Sequence, residues 1–556
     1  MINIDKKVWR PIVAMALLIV LDVALLAPEA LKERMAIHDS STFISNGAFF
    51  LSLFGNLSNF IESPLNWAME YYRHYPGFSI RRYPPIFGLV EGVMYALFGI
   101  SAVTAKLTIL LFSVFWITGW FFAFRKLFKD DFVAFFSTLL ILTLPASVTW
   151  GSSVRLDIPS MMFFAWGCYF YACYLDFPEK GCKYAILTSI MLVCTFYTYP
   201  LPLFAIGVLF LYMLISDRRF IFKKPFFHIT TFLLFVAFTC PLIFYFIKTG
   251  LYTSSLVKVL EEFQPFIPVE SQFSIEYWTF YLKVMWKEST VLMIGVILWA
   301  LTKIRVRFQK HELFFLIWLL IGYIGLSIIP FKGSRYHLHF VVAAAPLVVI
   351  GTRDSLKLLL NNRISKKYIA LCTSVTLFLM VLWNMSGISI KHEYVQGVDR
   401  VASWIVSQDK VENILYYGSF YNVFPFYIRK YDNDKKIRVS RLRAYKMPDN
   451  LSKATRVYSA ELTNKLKTLR QLCPPEKIID NIKKDEISVI VMESENLREG
   501  KRKGVYDLFY AIMKSIVRQE DSCKHLKDFP VLFGPPDRER QVLLRIYRVV
   551  NDEFVE

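Results

Sequence analysis

From residue 11 to about residue 388, apolar runs of 15–20 residues alternate with short polar connections, and beyond residue 390 that rhythm stops. Runs of this length match helices that cross the ~30 Å hydrocarbon core of a bilayer. The expected spans are 11–28, 104–124, 131–148, 159–176, two within 184–216, 227–247, 289–302, 312–330, one between His339 and Arg353, and 368–388. That makes about eleven crossings. Residues 84–100 read differently, because the run is short, opens with Pro84-Pro85 and carries Glu91. It is expected to be a juxtamembrane helix lying at the interface.

After Lys391 the period changes. Short β-type runs (Ile414–Tyr417, Ile487–Val491 and Val542–Tyr547) alternate with helical stretches such as 504–518. This pattern predicts an α/β domain. The expected organisation is a polytopic α-helical membrane domain, 1–390, followed by a soluble extracytoplasmic α/β domain, 391–556. The first external loop of the membrane domain is residues 29–103.

Charge sets the sidedness. Net charge is +20 in a chain that is 55% hydrophobic, but the basic residues sit largely in short loops between apolar runs, so topology explains them and nucleic acid is not an expected partner. Lys6, Lys7 and Arg10 place the N-terminus inside. Arg125, Lys126, Lys129, Lys180, Lys183, Arg218, Arg219, Lys303, Arg305, Arg353 and Lys357 mark later inner loops. An odd number of crossings then puts the C-terminal domain outside an inner (plasma) membrane. The first run lacks a small-residue cleavage site, so it is expected to remain as a span. The eight cysteines show no metal-ligand spacing. Cys473 and Cys523 would be able to pair in an exported domain. No P-loop, dinucleotide fingerprint or Gly-x-Ser-x-Gly is present.

The polar stretch 29–83 stands out against this background. It holds His38-Asp39-Ser40-Ser41 and Arg81-Arg82-Tyr83-Pro84-Pro85 beside the bilayer, where ionisable groups need water, a partner or a ligand. Asp39 has two readings. Its carboxylate suits a base for an acceptor hydroxyl or a ligand for a divalent ion; equally, Asp39-Ser40-Ser41 is good N-cap chemistry. Arg155-Leu156-Asp157-Ile158-Pro159 is a second acidic loop, on the same face if the spans are counted as above. Its Arg–Asp pair also fits simple neutralisation. Lys332, Arg335, Tyr336, His337 and His339 crowd the external end of span nine. Snorkelling accounts for such residues, but positive charge on this face opposes the topology rule, and a lipid phosphate would explain it. The long loop 248–287, with Glu261 and Glu262, is a weaker candidate for sugar or lipid contact.

These residues resemble a family. Asp39 in the first loop, Tyr83-Pro84-Pro85 opening a juxtamembrane helix and Arg155-x-Asp157-x-Pro159 match bacterial C-class membrane glycosyltransferases. So do Arg335-Tyr336 and a closing Arg545-Ile546-Tyr547-Arg548. The branch is that of the protein O-mannosyltransferases (the dolichyl-phosphate-mannose-protein mannosyltransferase family) and the lipid A aminoarabinose transferases. The resemblance implies an enzyme that moves a hexosyl or pentosyl group from a polyprenyl-phosphate donor to a glycan, lipid or protein acceptor outside the cytoplasm. It implies Asp39 as catalytic base and Asp157 as the second acidic residue. Substrate contacts are expected from His38, Arg82, Tyr83, Arg155, Lys332, Arg335, Tyr336 and His337. One departure is Arg82-Tyr83, where aminoarabinose transferases carry Glu-Lys, so an acidic metal ligand is missing there. No metal ligand is assigned, and whether a divalent ion serves as cofactor stays open. A lipid-linked glycan transporter or flippase, and a glycan ligase or polymerase, are the alternatives. A flippase would place polar residues within spans near the midplane.

Overall fold

The computed structural model describes residues 6–37, 39–78, 83–216, 226–248, 274–329, 332–360, 365–390, 392–441, 479, 482–494, 510, 513–514, 516–518, 523–536 and 538–550. His38, Arg82, Glu261, Glu262 and Cys473, together with most of the expected helix 504–518, lie outside these residues. In chain order the helices begin with α1 (Lys6–Ala30), α2 (Asp39–Phe54), α3 (Leu57–Glu62), α4 (Pro64–His74), α5 (Ile86–Phe98) and α6 (Ala102–Phe128). They continue with α7 (Asp131–Leu142), α8 (Pro145–Gly151), α9 (Asp157–Asp176), α10 (Gly181–Thr198) and α11 (Leu203–Ser216). Further helices cover Phe226–Lys248, Phe280–Glu288, Thr290–Lys303, Glu312–Ile328, Ala344–Leu359 and Lys366–Ser386.

The chain divides into two compact units. The first comprises Met1–Leu31, Arg81–Phe87 and Lys106–Ile390; the second comprises Lys32–Ile80, Gly88–Ala105 and Lys391–Glu556.

The first unit is helical. Among the described residues, four helices are long and apolar enough to cross a membrane, or six if each of two bent pairs is one span. One bent pair is α7 with α8, at 60°. Its break has a local cause: Thr143 turns its hydroxyl back onto the Leu139 carbonyl at 2.8 Å, and Pro145 restarts the helix at a position that needs no N–H. Four shorter apolar helices are also present, among them α11 in this unit and α5, which from Gly88 onward belongs to the second. The two runs expected within 184–216 are α10 and α11, which part between Thr198 and Leu203.

Helix approach within this unit relies on missing side chains. A Cβ on Gly351 would lie 2.6 Å from the Cβ of Trp299 and 2.7 Å from its Cα, and one on Gly295 would lie 2.4 Å from Val348 Cγ1. Small residues that let backbones meet are the usual means of packing helices in lipid, where apolar burial supplies little drive.

The basic residues expected in inner loops are paired with acids. Lys126 and Lys129 each lie 3.1 Å from Asp176, and Arg353 lies 2.6 Å from Asp130. Asp130 also caps α7, accepting from the N–H groups of Phe132 and Val133. Lys303 sits 3.0 Å from Glu312 and 3.1 Å from Asp354, both buried, and the Trp299 indole donates to Glu312 at 2.6 Å. Arg353 touches Asp354 as well, so these pairs form one continuous cluster at one end of the helices.

The second unit is built on a seven-stranded sheet. Its strands are β1 (Met35–Ala36), β2 (Tyr394–Gln396), β3 (Asn413–Tyr417), β4 (Arg438–Arg441), β5 (Val489–Glu493), β6 (Cys523–Gly534) and β7 (Arg540–Val549). Their order is β1-β2-β6-β7-β5-β3-β4. β3 pairs in parallel with β4 and β5, and all five residues of β5 are buried, as strands covered on both faces require. β6 and β7 form an antiparallel hairpin. The three expected β-runs become β3, β5 and β7. The edge strand β1 comes from the polar first loop, more than 350 residues before its partner β2 in the sequence.

Gly351→Ala should lower stability by about 1–3 kcal/mol, because the added methyl meets the Trp299 backbone, which cannot swing aside. Thermal unfolding of the purified protein in detergent checks this. An unchanged midpoint would mean that the two helices stand further apart than described.

Candidate functional site

Asp157 is the first residue of α9, directly after the turn that carries Arg155. The position would suit solvent, yet Asp157 is 1% exposed. Its partner is His339, whose Nε2–H donates to Oδ1 at 2.9 Å from 182 residues away. His339 is itself fully buried. Its backbone carbonyl accepts from the Trp318 indole at 3.0 Å, and its ring lies 6.0 Å from that of Tyr199.

Arg335 and Arg155 add positive charge around the same carboxylate. Burial by itself would raise the Asp157 carboxyl. The hydrogen bond from His339 and the charges of Arg335, His339 and Arg155 outweigh it and hold the group below the ordinary carboxylate range. Arg335 donates to the Tyr336 hydroxyl at 3.2 Å. Arg155 lies over the Trp150 ring, 5.9 Å from its centre. The Tyr199 hydroxyl is within electrostatic reach of Tyr336, Asp157, Arg335 and Tyr83. The first unit therefore gathers Tyr83, Arg155, Asp157, Arg335 and Tyr336 from the sequence-derived set. It adds His339 and Tyr199.

The other expected residues are placed differently. Lys332 gives hydrogen bonds to the carbonyls of Leu326 and Ser327 at the end of Glu312–Ile328. Its ammonium stands 3.9 Å from the centre of the Tyr277 ring. That geometry closes a helix C-terminus, where a cation is favoured. His337 donates from Nδ1 to the Ser334 carbonyl, and its Nε2 is 3.8 Å from the Glu288 carboxylate. Burial pushes its imidazole down to about 4, so it is neutral at pH 7. Asp39 begins α2, half-buried, three residues after β1, and belongs to the second unit.

Asp157 opens α9 and Asp176 closes it. A helix of that length holds its ends about 30 Å apart. The Asp157–His339 cluster thus lies at the opposite end of the helices from the Lys126–Asp176 pair. Two residues escaped the sequence reading. His339 stood among the basic crowd at 332–339 with nothing to single it out as the partner of Asp157. Asp22 lies inside the apolar run of α1, fully buried, and accepts from Ser113 of α6 at 2.9 Å. A lone acid within a span was the available signal. Among the described residues, no group of three His, Cys, Asp or Glu side chains is placed to hold a metal ion.

Asp157→Ala should cost about 3–5 kcal/mol, because it leaves His339 and two arginines facing a void where a carboxylate stood. A depressed carboxyl contributes its stability above the unfolded pKa and loses it as pH falls through the folded one. The advantage of wild type over the variant should therefore be full at pH 7 and 5 and shrink only below about pH 4. Unfolding midpoints across that range measure it. A gap that closes already at pH 6 would contradict the pairing.

Residues 82–245 match the family model described as dolichyl-phosphate-mannose-protein mannosyltransferase. No curated protein matches the chain by sequence. Among solved structures, the chain is similar to ArnT from Cupriavidus metallidurans bound to undecaprenyl phosphate, with a TM-score of 0.58 and 13% identity. That likeness covers 96% of this chain and 97% of ArnT. The apo state of the same protein matches at a TM-score of 0.55 and 14% identity, over the same shares of both chains. The arabinofuranosyltransferase AftD from Mycobacteria matches at 0.50 with 12% identity, over 98% of this chain but 40% of AftD. Together, these likenesses show a fold shared with ArnT and AftD, and the family match falls within its helical part.

Proposed function

We propose that this protein transfers a sugar from a polyprenyl-phosphate donor to an acceptor hydroxyl at the outer face of the plasma membrane. The observation that carries the reading is the fold shared over 96% of the chain with ArnT, which was solved with undecaprenyl phosphate bound. The chemistry of the first unit agrees. The leaving group is an anionic lipid phosphate, which stays in the bilayer and needs cations aimed at it. Arg335 and Arg155 are those cations. Asp157 works through them: buried and bonded to His339, it holds both guanidiniums in place instead of meeting substrate itself. Tyr83 and Tyr336 lie within electrostatic reach of Tyr199, as Asp157 and Arg335 do, and substrate contact by His38, Arg82, Lys332 and His337 belongs to the same proposal.

The acceptor hydroxyl is a poor nucleophile and requires a base, which is Asp39. A single displacement inverts the anomeric centre. The acceptor is a glycan, a lipid or a protein. The sidedness of this scheme has a physical support. The Asp157 cluster and the basic cluster occupy opposite ends of the helices, and basic residues stay on the cytoplasmic side. We place the Asp157 end, and residues 391–556, outside an inner membrane crossed about eleven times.

Transfer of radiolabelled sugar from synthetic polyprenyl-phosphate donors in isolated membranes tests the reaction. Asp39→Asn keeps any cap hydrogen bond but loses the proton acceptor, so transfer should fall by roughly 10²–10⁴ while expression stays normal. Wild-type transfer by that variant, with Asp39→Ala costing only about 1 kcal/mol of stability, would return Asp39 to a helix cap.

Sidedness is tested separately with Lys436→Cys, at a residue whose side chain is 73% exposed. An impermeant maleimide should label it in intact spheroplasts. Labelling only after lysis would reverse the topology.

A further inference from the structure

Asp39 begins α2 after the short connection 31–38 that leaves α1, and a base held by that connection alone would wander. Misplacement by about 1 Å is enough to cost on the order of 10² in rate. Here both flanks of Asp39 are fastened to residues of the C-terminal sequence. On the N-terminal side, β1 is the edge strand of the sheet, with Met35 opposite Val395 and Ala36 opposite Tyr394. The Ile37 N–H donates to the Glu393 carbonyl at 3.2 Å. Arg34, just before the strand, lies 3.0 Å from Glu539 and stacks 4.4 Å from the Tyr394 ring.

On the C-terminal side, the Asn422 amide donates to the Thr42 hydroxyl at 2.9 Å, three residues after Asp39. Further along α2, Ser52 accepts from Arg429 through Nε at 3.2 Å and Nη2 at 3.0 Å, in a buried contact. Thr42 and Ser52 are about 15 Å apart along the helix axis. Asn422 and Arg429 belong to one short helix and its cap, Val423–Tyr431 with Asn422 before it. Two bonds that far apart between two rigid helices fix direction as well as position. Gly77 tightens the joint: a Cβ there would stand 2.7 Å from the Ser45 hydroxyl and 3.3 Å from the Asn422 carbonyl.

We propose that Thr42 and Asn422 are positioning residues through which residues 391–431 hold Asp39 in its working place. The C-terminal sequence is then part of the catalytic apparatus and not an appended receptor. The proposal rests on Asp39 being the base.

The test uses the full-length protein in membranes, with turnover and donor KM measured for Thr42→Val, Thr42→Ser, Asn422→Ala and the Val/Ala double variant. Thr42→Val and Asn422→Ala should each lower turnover about tenfold, a part of the ~10²-fold that full misplacement costs. Donor KM should stay within about twofold, since these residues do not touch the donor. The double variant should be no worse than either single one, and Thr42→Ser should keep wild-type turnover. Melting temperatures taken in parallel separate positioning from folding. Wild-type turnover per folded molecule in Thr42→Val, or multiplied losses in the double variant, would overturn the proposal. Asp39→Asn is run alongside. If it is inactive while Thr42→Val is normal, only the positioning role fails. If Asp39→Asn transfers normally, the assignment of the base fails and takes the positioning role with it.

Discussion

A charge surrounded by apolar helices has to be met by an opposite charge or a hydrogen bond, because isolated ions in a low dielectric cost several kcal/mol each. The helical unit is arranged around that requirement. Asp157 is met by His339 and two arginines, Glu312 by Lys303 and the Trp299 indole, and Asp130 by Arg353 and two backbone N–H groups. The first and last of these arrangements join helices that are distant in sequence, and Lys303 links the second to Asp354. The partnerships fix which helix ends meet, and the glycines at 295 and 351 fix how closely the helices between them can pack.

The two clusters are met in different ways. At the basic end, Lys126, Lys129, Lys303 and Arg353 are matched against Asp130, Asp176, Glu312 and Asp354, so charge is roughly balanced. At the other end the buried Asp157 carboxylate bonds to His339 and lies in the field of Arg335 and Arg155, which together outweigh the cost of its burial.

The polar first loop meets a different constraint. A loop of this length has many backbone groups to satisfy, and left alone it would cost considerable entropy to order. Pairing β1 into the sheet, fastening α2 through Thr42 and Ser52, and bonding the Tyr75 hydroxyl to Asp432 at 2.8 Å give those groups partners. Order imposed this way comes from residues hundreds of positions downstream, and it is imposed on the segment that carries Asp39.

Much of this was legible in the linear chain. Apolar runs marked the helices, including the pair within 184–216 and the short helix after Pro84-Pro85, since helix length and period are local properties. The β-runs at 414–417, 487–491 and 542–547 became strands for the same reason. The acidic and basic residues of the candidate site were visible as charges out of place in a hydrophobic chain. What could not be read was partnership. Nothing in the residues around Asp157 points to His339, nothing around Met35 points to Val395, and nothing around Asp22 points to Ser113. A hydrogen bond between distant residues leaves no period in either segment. Which carboxylate is buried, which lysine closes a helix and which strand takes the sheet edge were therefore decided by tertiary packing, where the cost of an unmet polar group selects one arrangement among the many the local patterns allow.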